Sequence, residues 1–316
     1  MKVNEIKKVA VVGAGNMGEG IAQNFAEAGL EVTLMARHAE TLSKCIDRIK
    51  ADLNLFKEFK LLREDPGKIL SRIKTVQVQN LPDIVKEFDF VLETIPEVLE
   101  EKKKLLAILD SCKPEAIIGS NTSSFTITNI TEDMKTPGRV VGMHYFNPAH
   151  IMPLVEIHRG KNTKDDVVET AKELMAKAGK KTALVLKEVP GFIVNRIQGA
   201  IYREISDILE QGVTTPEDLD TAMKASLGFR YSVIGPMEAE DMIGLDTSAK
   251  VSARVFGTLS KRSEPNSLLV EKVKRGELGI NSGKGWYDYG KKTRSEVMEE
   301  VNKKLLQQLA AFKANK

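Results

Sequence analysis

The sequence contains few cysteines and few aromatic residues, and neither sign of charge predominates. Its two cysteines, Cys45 and Cys112, lie far apart and form no CxxC pair, so we expect buried, idle thiols and neither a disulfide framework nor a thiolate metal site. Aromatic residues make up 5% of the chain, and the net charge is only +3, with lysine and arginine spread along the whole length. Because no basic block is interleaved with aromatics, we expect no nucleic-acid partner.

Long apolar runs are also missing. No stretch approaches the ~18 residues of a membrane helix. The first residues, MKVNEIKKVAVVG, contain no signal-peptide core with a cleavage site, and their apolar part is the first predicted strand. We therefore expect a cytoplasmic protein with no membrane partner.

Histidine is scarce, and its spacing does not favour a metal. His144, His150 and His158 are separated by six and eight residues, which fits no usual helical ligand pattern. No cluster of acids or thiols joins them in the sequence. We predict no metal site.

The chain does contain enough apolar residues, 42% of its 316, to build a sizeable core. Its N-terminal part alternates short apolar runs with helical patterns. Residues 8–13 predict a buried strand, 16–28 a helix and 31–35 a second strand, which is the beginning of a parallel, doubly wound α/β sheet. From about residue 189 helical patterns follow one another. We predict a dinucleotide-binding domain at 1–188 and a mainly helical domain for substrate binding and dimerisation at 189–316, ending in a helical tail from 294.

The turn after the first strand has the pattern G-x-G-x-x-G. Gly13 permits the tight turn, Gly15 lets the backbone approach a pyrophosphate, and Gly18 lets the helix pack closely on the strand. The amides at the helix start, at Asn16 and Met17, would meet the phosphates with help from the helix dipole. The position between a strand and a helix favours dinucleotide binding over a purely structural turn.

The second strand ends without the acid that usually accepts the ribose hydroxyl of NAD. Position 36 is Ala36 and position 37 is Arg37. An arginine there offers a positive charge to the 2′-phosphate of NADP, with His38 or Lys44 assisting, so we favour NADP, or use of both cofactors. The alternative is a surface arginine, with NAD held by other contacts.

Four stretches in fixed order carry a family resemblance. They are IGSNTSS (118–124), GMHYFNPAHIMPLVEI (142–157), VPGFIVNRI (189–197) and SGKGWYDY (282–289). Together with the glycine turn they resemble the L-3-hydroxyacyl-CoA dehydrogenase family over residues 6 to about 290. The resemblance implies a Rossmann domain followed by a helical domain, usually in a dimer, with hydride transfer between NAD(P) and C3 of the substrate.

That chemistry requires a base for the C3 hydroxyl proton, and histidine is the natural one. The resemblance assigns the base to His144 and its carboxylate partner to Glu156. It assigns the orientation of substrate oxygens to Ser123 and Asn195. For Ser123 the alternative is a helix-capping loop, in which Ser120 and Ser124 are close neighbours.

The resemblance also implies cofactor contacts. Glu97 and Lys102 match positions that contact the nicotinamide-side ribose and phosphates, and Asn147 matches another contact. Each of these residues is alternatively an ordinary residue of a charged helix or loop.

Two substrate classes remain open, and each has a motivating feature. The leading hypothesis is a short-chain 3-hydroxyacyl-CoA, motivated by the ordered set Ser123, His144, Glu156 and Asn195 behind a dinucleotide turn. A basic helical arm also matches the helices that contact CoA in the family, and its alternative is a charged arm facing water; its basic residues are Lys57, Lys60, Arg63 and Lys68. The second is a free polar 3-hydroxy acid of the gulonate or carnitine type, whose carboxylate Arg230 would hold. A third hypothesis is a dinucleotide-binding structural protein without catalysis, and the intact His144 and Glu156 argue against it.

Overall fold

The computed structural model describes residues 1–314. Its strands are β1 (Lys8–Val12), β2 (Glu31–Ala36), β3 (Ile73–Gln77), β4 (Phe90–Glu93), β5 (Ile117–Ser120), β6 (Val140–Tyr145), β7 (Leu154–Arg159) and β8 (Lys181–Val185). The helices up to residue 210 are α1 (Asn16–Glu27), α2 (Ala39–Glu58), α3 (Pro66–Leu70), α4 (Leu81–Ile84), α5 (Leu99–Leu109), α6 (Ile127–Ile130), α7 (Asp165–Lys177) and α8 (Val194–Glu210). Those that follow are α9 (Pro216–Met223), α10 (Phe229–Tyr231), α11 (Pro236–Ile243), α12 (Leu245–Val255), α13 (Ser267–Lys274) and α14 (Arg294–Ala314).

The eight strands form one sheet in the order β3-β2-β1-β4-β5-β6-β7-β8. The order reverses between β1 and β4, which places the switch point of a doubly wound sheet after β1. The predicted doubly wound α/β fold is confirmed, but the expectation of a wholly parallel sheet is wrong for one pair, because β7 runs antiparallel to β6. The connection at 146–153 is too short for the crossover of a dozen or more residues that a parallel pair requires.

The sheet is covered on both faces, which explains the unbroken apolar run of β1. Val9 and Val11 pack in the layer that contains α1, α2 and α7. Ala10 and Val12 pack on the other face, against α5 and α6. A strand that is buried on both faces lacks the alternation of polar and apolar residues seen in half-exposed strands.

Packing divides the chain into two units. The first comprises residues 1–194 together with 303–316, and the second comprises 195–302. The boundary expected at residue 188 remains a prediction. Within the second unit, Asn266 caps α13 through a hydrogen bond from the amide of Leu269, and its Nδ2 donates to the carbonyl of Ser206 in α8 at 3.0 Å.

The last helix, α14, ends on the first unit. Leu306 and Leu309 are buried there with Phe56 of α2 and Ile151 of the loop after β6. The contact covers apolar residues of the α2 arm. In the described part of the chain, residues 1–314, no helix is long and apolar enough to cross a membrane.

Candidate active site

The glycine turn lies between β1 and α1 as the sequence predicts. Gly13 has a φ of +117°, and a Cβ there would lie 2.5 Å from the carbonyl oxygen of Thr94. A Cβ on Gly18 would lie 1.7 Å from the carbonyl oxygen of Gly13, so helix and turn pack too closely for any side chain. A Cβ on Gly15 would meet nothing within 4 Å. The turn therefore leaves open space directly before the amides of Asn16 and Met17, which fits a pyrophosphate.

The end of β2 carries no acid, and its arginine faces a carboxylate from another helix. Nη2 of Arg37 lies 3.4 Å from Oε2 of Glu101 in the first turn of α5, and both side chains are largely exposed. Nε2 of Gln77 donates to the carbonyl of Arg37. The guanidinium thus lies beside the carboxyl edge of the sheet, where an adenosine would bind, with a negative charge close to it.

A buried lysine connects the ends of β4 and β5. The Nζ atom of Lys102 lies 2.7 Å from Oε1 of Glu93, 3.1 Å from Oε2 of Glu97 and 3.3 Å from the carbonyl of Ile95. Oε2 of Glu93 in turn accepts from the Ser120 hydroxyl. All three donors of the Lys102 ammonium therefore have acceptors in the protein. The burial of Lys102 between these acceptors does not favour the phosphate contact that the family resemblance implies.

Glu97 caps the loop after β5. Its Oε1 accepts hydrogen bonds from the hydroxyl of Thr122, from the amides of Ser123 and Ser124, and from the hydroxyl of Ser124. Partial burial would raise the pKa of the Glu97 carboxyl, but these bonds and the charge of Lys102 outweigh it and lower that pKa to about 2. Glu97 is an anion that shapes this loop.

This geometry distinguishes the three serines. Ser120 is buried and donates to Glu93, and the hydroxyl of Ser124 donates to Glu97. Ser123 is partly exposed, and its amide donates to Glu97. Its hydroxyl therefore remains as the group that can turn towards a substrate.

His144 and Glu156 face each other on the antiparallel pair β6 and β7, where they are direct partners in register. Nδ1 of His144 lies 2.8 Å from Oε2 of Glu156, and both side chains are buried. Burial would raise the pKa of the Glu156 carboxyl, but hydrogen bonds from His144 and from the amides of Val194 and Ile193 lower it overall. Because an ionised carboxylate only accepts, Nδ1 carries the proton and Nε2 is left as the basic nitrogen.

The loop that carries Ser123 is hydrogen-bonded to the strand that carries His144. Oδ1 of Asn121 accepts from the amide of Tyr145 at 2.8 Å, and the amide of Asn121 donates to the carbonyl of Glu93. The ends of β4, β5 and β6 are thereby joined by hydrogen bonds. They bring a free hydroxyl, a basic imidazole nitrogen and a glycine turn to one edge of the sheet.

Comparisons with known proteins identify the family of the chain. The family model for the NAD binding domain of 3-hydroxyacyl-CoA dehydrogenase matches residues 8–189, and the model for its C-terminal domain matches residues 191–289. The chain belongs to the 3-hydroxyacyl-CoA dehydrogenase family. It is therefore an oxidoreductase that uses a nicotinamide dinucleotide, and the expected Rossmann domain with a helical domain after it is confirmed.

Individual relatives of the chain are named for different substrates. A 3-hydroxybutyryl-CoA dehydrogenase of Bradyrhizobium diazoefficiens is 40% identical over 90% of this chain and 96% of its own length. A 5-formyl-3-hydroxy-2-methylpyridine 4-carboxylate 5-dehydrogenase of Mesorhizobium japonicum is 32% identical over 95% of this chain and 96% of its own length. The crystal structure of such a pyridine carboxylate dehydrogenase, an NAD+ dependent dismutase, matches with a TM-score of 0.89 at 30% identity, covering 98% of this chain and 99% of that one.

The remaining family positions lie in the loop after β6, at the end of α2 and in the second unit. Asn147 precedes Pro148 in the loop after β6. Asn195 is the second residue of α8, and Arg230 is an exposed residue of α10; both belong to the second unit. Lys57 lies at the end of α2, 3.5 Å from Asp65, and Lys60 follows that helix with a φ of +56°.

Several residues of this site are absent from the sequence analysis. Glu93 was detectable as an acid at the end of a buried strand, and Asn121 as a polar residue at the end of the next one. His158 was considered above only as a metal ligand, although a period of two places it on the same face of β7 as Glu156. No local pattern indicates that Phe192 adopts a left-handed backbone conformation, with a φ of +50°.

Proposed function

We propose that this protein oxidises the C3 hydroxyl of a short-chain (S)-3-hydroxyacyl-CoA, or reduces the corresponding ketone, with His144 as general base or acid. One observation carries the proposal, the 2.8 Å contact between Nδ1 of His144 and Oε2 of Glu156. The substrate class is supported by the identity of 40% to a 3-hydroxybutyryl-CoA dehydrogenase. A nicotinamide dinucleotide held at the glycine turn of Gly13, Gly15 and Gly18 would supply the hydride acceptor for the oxidation.

The role of the dyad follows from its geometry. The carboxylate of Glu156 fixes His144 in the tautomer whose Nε2 can accept the hydroxyl proton. It also stabilises the imidazolium that forms when the proton arrives. The low pKa of Glu156 keeps the carboxylate ionised at neutral pH, so the proton stays on the imidazole.

The polar residues around the dyad orient the substrate. We assign the free hydroxyl of Ser123 and the amide of Asn195 to the substrate oxygens, as the resemblance implies. We assign Lys102 to positioning, since its ammonium holds Glu93 and Glu97 and these hold the loop of Ser123. The exposed Lys57 and Lys60 are our choice for contacts with CoA phosphates.

The cofactor is NADP or NAD, and we favour NADP because Arg37 stands where the usual acid is missing. Glu97 and Asn147 are the further cofactor contacts that we propose. The negative charge of Glu101 beside Arg37 repels the 2′-phosphate of NADP. The preference for NADP over NAD therefore depends on whether the attraction by Arg37 exceeds the repulsion by Glu101.

A second function has its own observation. The TM-score of 0.89 over 98% of this chain belongs to an enzyme of a pyridine carboxylate, a free acid. A free polar hydroxy acid, with its carboxylate bound by Arg230, is therefore the alternative substrate. Both functions use the same dyad and differ only in what surrounds C3.

One panel separates the two. Initial rates are measured with NAD+ and with NADP+ for 3-hydroxybutyryl-CoA, gulonate, carnitine and 5-formyl-3-hydroxy-2-methylpyridine 4-carboxylate, and in reverse with acetoacetyl-CoA. We expect turnover with the CoA esters. Turnover confined to the free acids would replace the leading proposal with the alternative, and no turnover with any of them would remove both.

We also propose a homodimer. The second unit carries many exposed apolar side chains, among them Phe229, Met242 and Leu245 on its helices and Val233 in the turn after α10. Of the apolar residues described between 195 and 302, only Ala239 and Val297 are buried. Helices with so much exposed apolar surface require a partner, and a second copy is the usual one. The boundary between the domains near residue 188 and the cytoplasmic location remain part of this proposal.

A further inference from the structure

His158 is a buried residue beside the dyad that the proposed chemistry does not use. It lies on β7 two residues after Glu156, hence on the same face of the sheet. Its partner in register on β6 is Gly142. A Cβ on Gly142 would lie 2.0 Å from Cε1 of His158. The imidazole therefore fills the space that a side chain at position 142 would occupy. Gly142 lies on β6, two residues before His144.

The ring of His158 stacks on Phe192. The centroids are 3.9 Å apart, and the planes are inclined by 28°. Phe192 is itself buried, and its φ of +50° places it in the left-handed region, which is unfavourable for a residue with a large side chain. Such a conformation persists only where the surroundings hold it, and the imidazole of His158 is the flat surface against which the Phe192 ring packs.

The conformation of Phe192 determines where the next two amides point. The amides of Ile193 and Val194 donate to Oε1 of Glu156 at 3.0 and 2.9 Å. Oε2 of the same carboxylate accepts from His144. The Phe192 ring also lies beside His144, with centroids 5.5 Å apart. A continuous series of contacts thus leads from His158 to the basic imidazole.

We propose that His158 is a positioning residue for the dyad, holding Phe192 in the conformation that aims two backbone amides at Glu156 and so fixes the carboxylate against His144. The inference rests on the proposed function, since it presupposes that the dyad carries the proton. It adds a residue that acts on the reaction only through others.

His158 does not serve as an acid or base itself. Burial lowers the pKa of His158 to about 3, with the charge of His144 acting in the same direction and that of Glu156 opposing it. Neither ring nitrogen has a hydrogen-bond partner within residues 1–314. The ring stays neutral at every pH used for assays. Titration of His158 itself therefore does not account for a change in the pH profile near neutrality after its substitution.

The test compares His158→Leu with His158→Phe. Leucine removes the flat stacking surface, whereas phenylalanine keeps an aromatic ring. We expect His158→Leu to lose roughly tenfold to 10²-fold in kcat, the range for a catalytic group held slightly out of place. The acid limb of the kcat/KM profile should move to lower pH, because the imidazolium loses part of its stabilisation. His158→Phe should restore most of the rate and the original profile.

A matched control is available in His150. It is a second buried histidine whose pKa is lowered by burial, to about 4, but it lies near Asp52 and Phe56, away from the dyad. His150→Leu should lower stability without moving the pH profile. An identical profile for His158→Leu and the wild type, or the same shift in His150→Leu, would overturn the proposal.

Two further measurements keep the test decisive. If His158→Leu does not fold, Phe192→Leu removes the other half of the stack and should give the same shift. The Nδ1 proton of His144, followed by proton NMR without substrate or cofactor, should move upfield as its hydrogen bond to Glu156 weakens.

If His144→Ala retains the wild-type rate, the proposed function fails; if it is inactive while His158→Leu behaves as wild type, only the present inference fails.

Discussion

Glu156 binds His144 with one carboxylate oxygen and the start of helix α8 with the other. Oε2 lies 2.8 Å from Nδ1 of the imidazole, and Oε1 accepts two backbone amides of the segment that leads into α8. The same carboxylate therefore fixes the tautomer of the base and the beginning of the helix that carries Asn195. A change at Glu156 affects both.

We predict that His144→Ala loses about 10²–10⁴-fold in kcat/KM, the range for removal of a general base. Cofactor affinity, measured by calorimetry, should be unchanged, because the glycine turn is separate from β6. Glu156→Gln should lose less in rate than His144→Ala but more in thermal stability, since it weakens the bonds to two amides. A His144→Ala variant with nearly normal turnover would show that another group moves the proton.

The sequence predicts the parts of this site that depend on local pattern. The glycine turn is one, because close packing of Gly18 on Gly13 leaves no alternative residue. The pairing of His144 with Glu156 was expected from the family resemblance alone, since no local spacing predicts it. The first two strands were predicted to within one residue, at 8–13 and 31–35, and the structure has them at Lys8–Val12 and Glu31–Ala36.

What the sequence does not reveal is contact between distant segments. The direction of β7 depends on the length of the loop before it, and apolar content alone does not report direction. The roles of the three serines depend on Glu93 and Glu97, which lie far from them in the chain. Lys102 looks like a surface residue of a charged helix in the sequence, and only packing reveals that it is buried between two acids.

The cofactor preference should respond to the charges at Arg37 and Glu101. Arg37→Gln should weaken the binding of NADP+ by about tenfold or more relative to that of NAD+, since a hydrogen bond to a charged group contributes roughly 1.5–3 kcal/mol. Glu101→Gln should tighten NADP+ binding, and Ala36→Asp should favour NAD+. Dissociation constants for both cofactors provide the measurement, with Glu100→Gln on the same turn of α5 as the control. An unchanged ratio in Arg37→Gln would mean that this arginine does not bind the 2′-phosphate.

The homodimer proposal predicts that a charge on the apolar helices separates the subunits. Met242, in α11, has 75% of its surface exposed. Met242→Asp should convert a dimer to a monomer at micromolar concentration, because a charge would be buried without a partner at the interface. Light scattering after gel filtration measures the mass, and Glu240→Gln on the same helix is the control. A wild-type protein that elutes as a monomer would refute the proposal directly.

The end of α14 packs within the first unit, so shortening one of its buried leucine side chains should lower the stability of the fold. Leu306 has no exposed surface and contacts the cluster around Phe56 and Ile151. Leu306→Ala should lower the free energy of unfolding by about 2–5 kcal/mol, the usual range for a buried leucine. Gln307→Ala, at the exposed neighbouring position, should change it little. Equal urea midpoints for the two variants would show that the helix contributes no stability there.

Lys180 makes stability depend on pH in the alkaline range. Its buried ammonium donates to the carbonyls of Ala149 and Met152, and burial lowers its pKa from 10.5 to about 7, with Glu27 opposing the shift. Between those two values the unfolded chain holds a proton that the folded chain does not, so stability rises with pH, by at most about 1.4 kcal/mol per pH unit. Lys180→Met should remove this rise between about pH 7 and 10.5. Urea unfolding at pH 7, 8 and 9 measures the slope, with Lys181→Met, at the exposed next position, as the control. Equal slopes in Lys180→Met and the wild type would show that the ammonium is not neutralised in the fold.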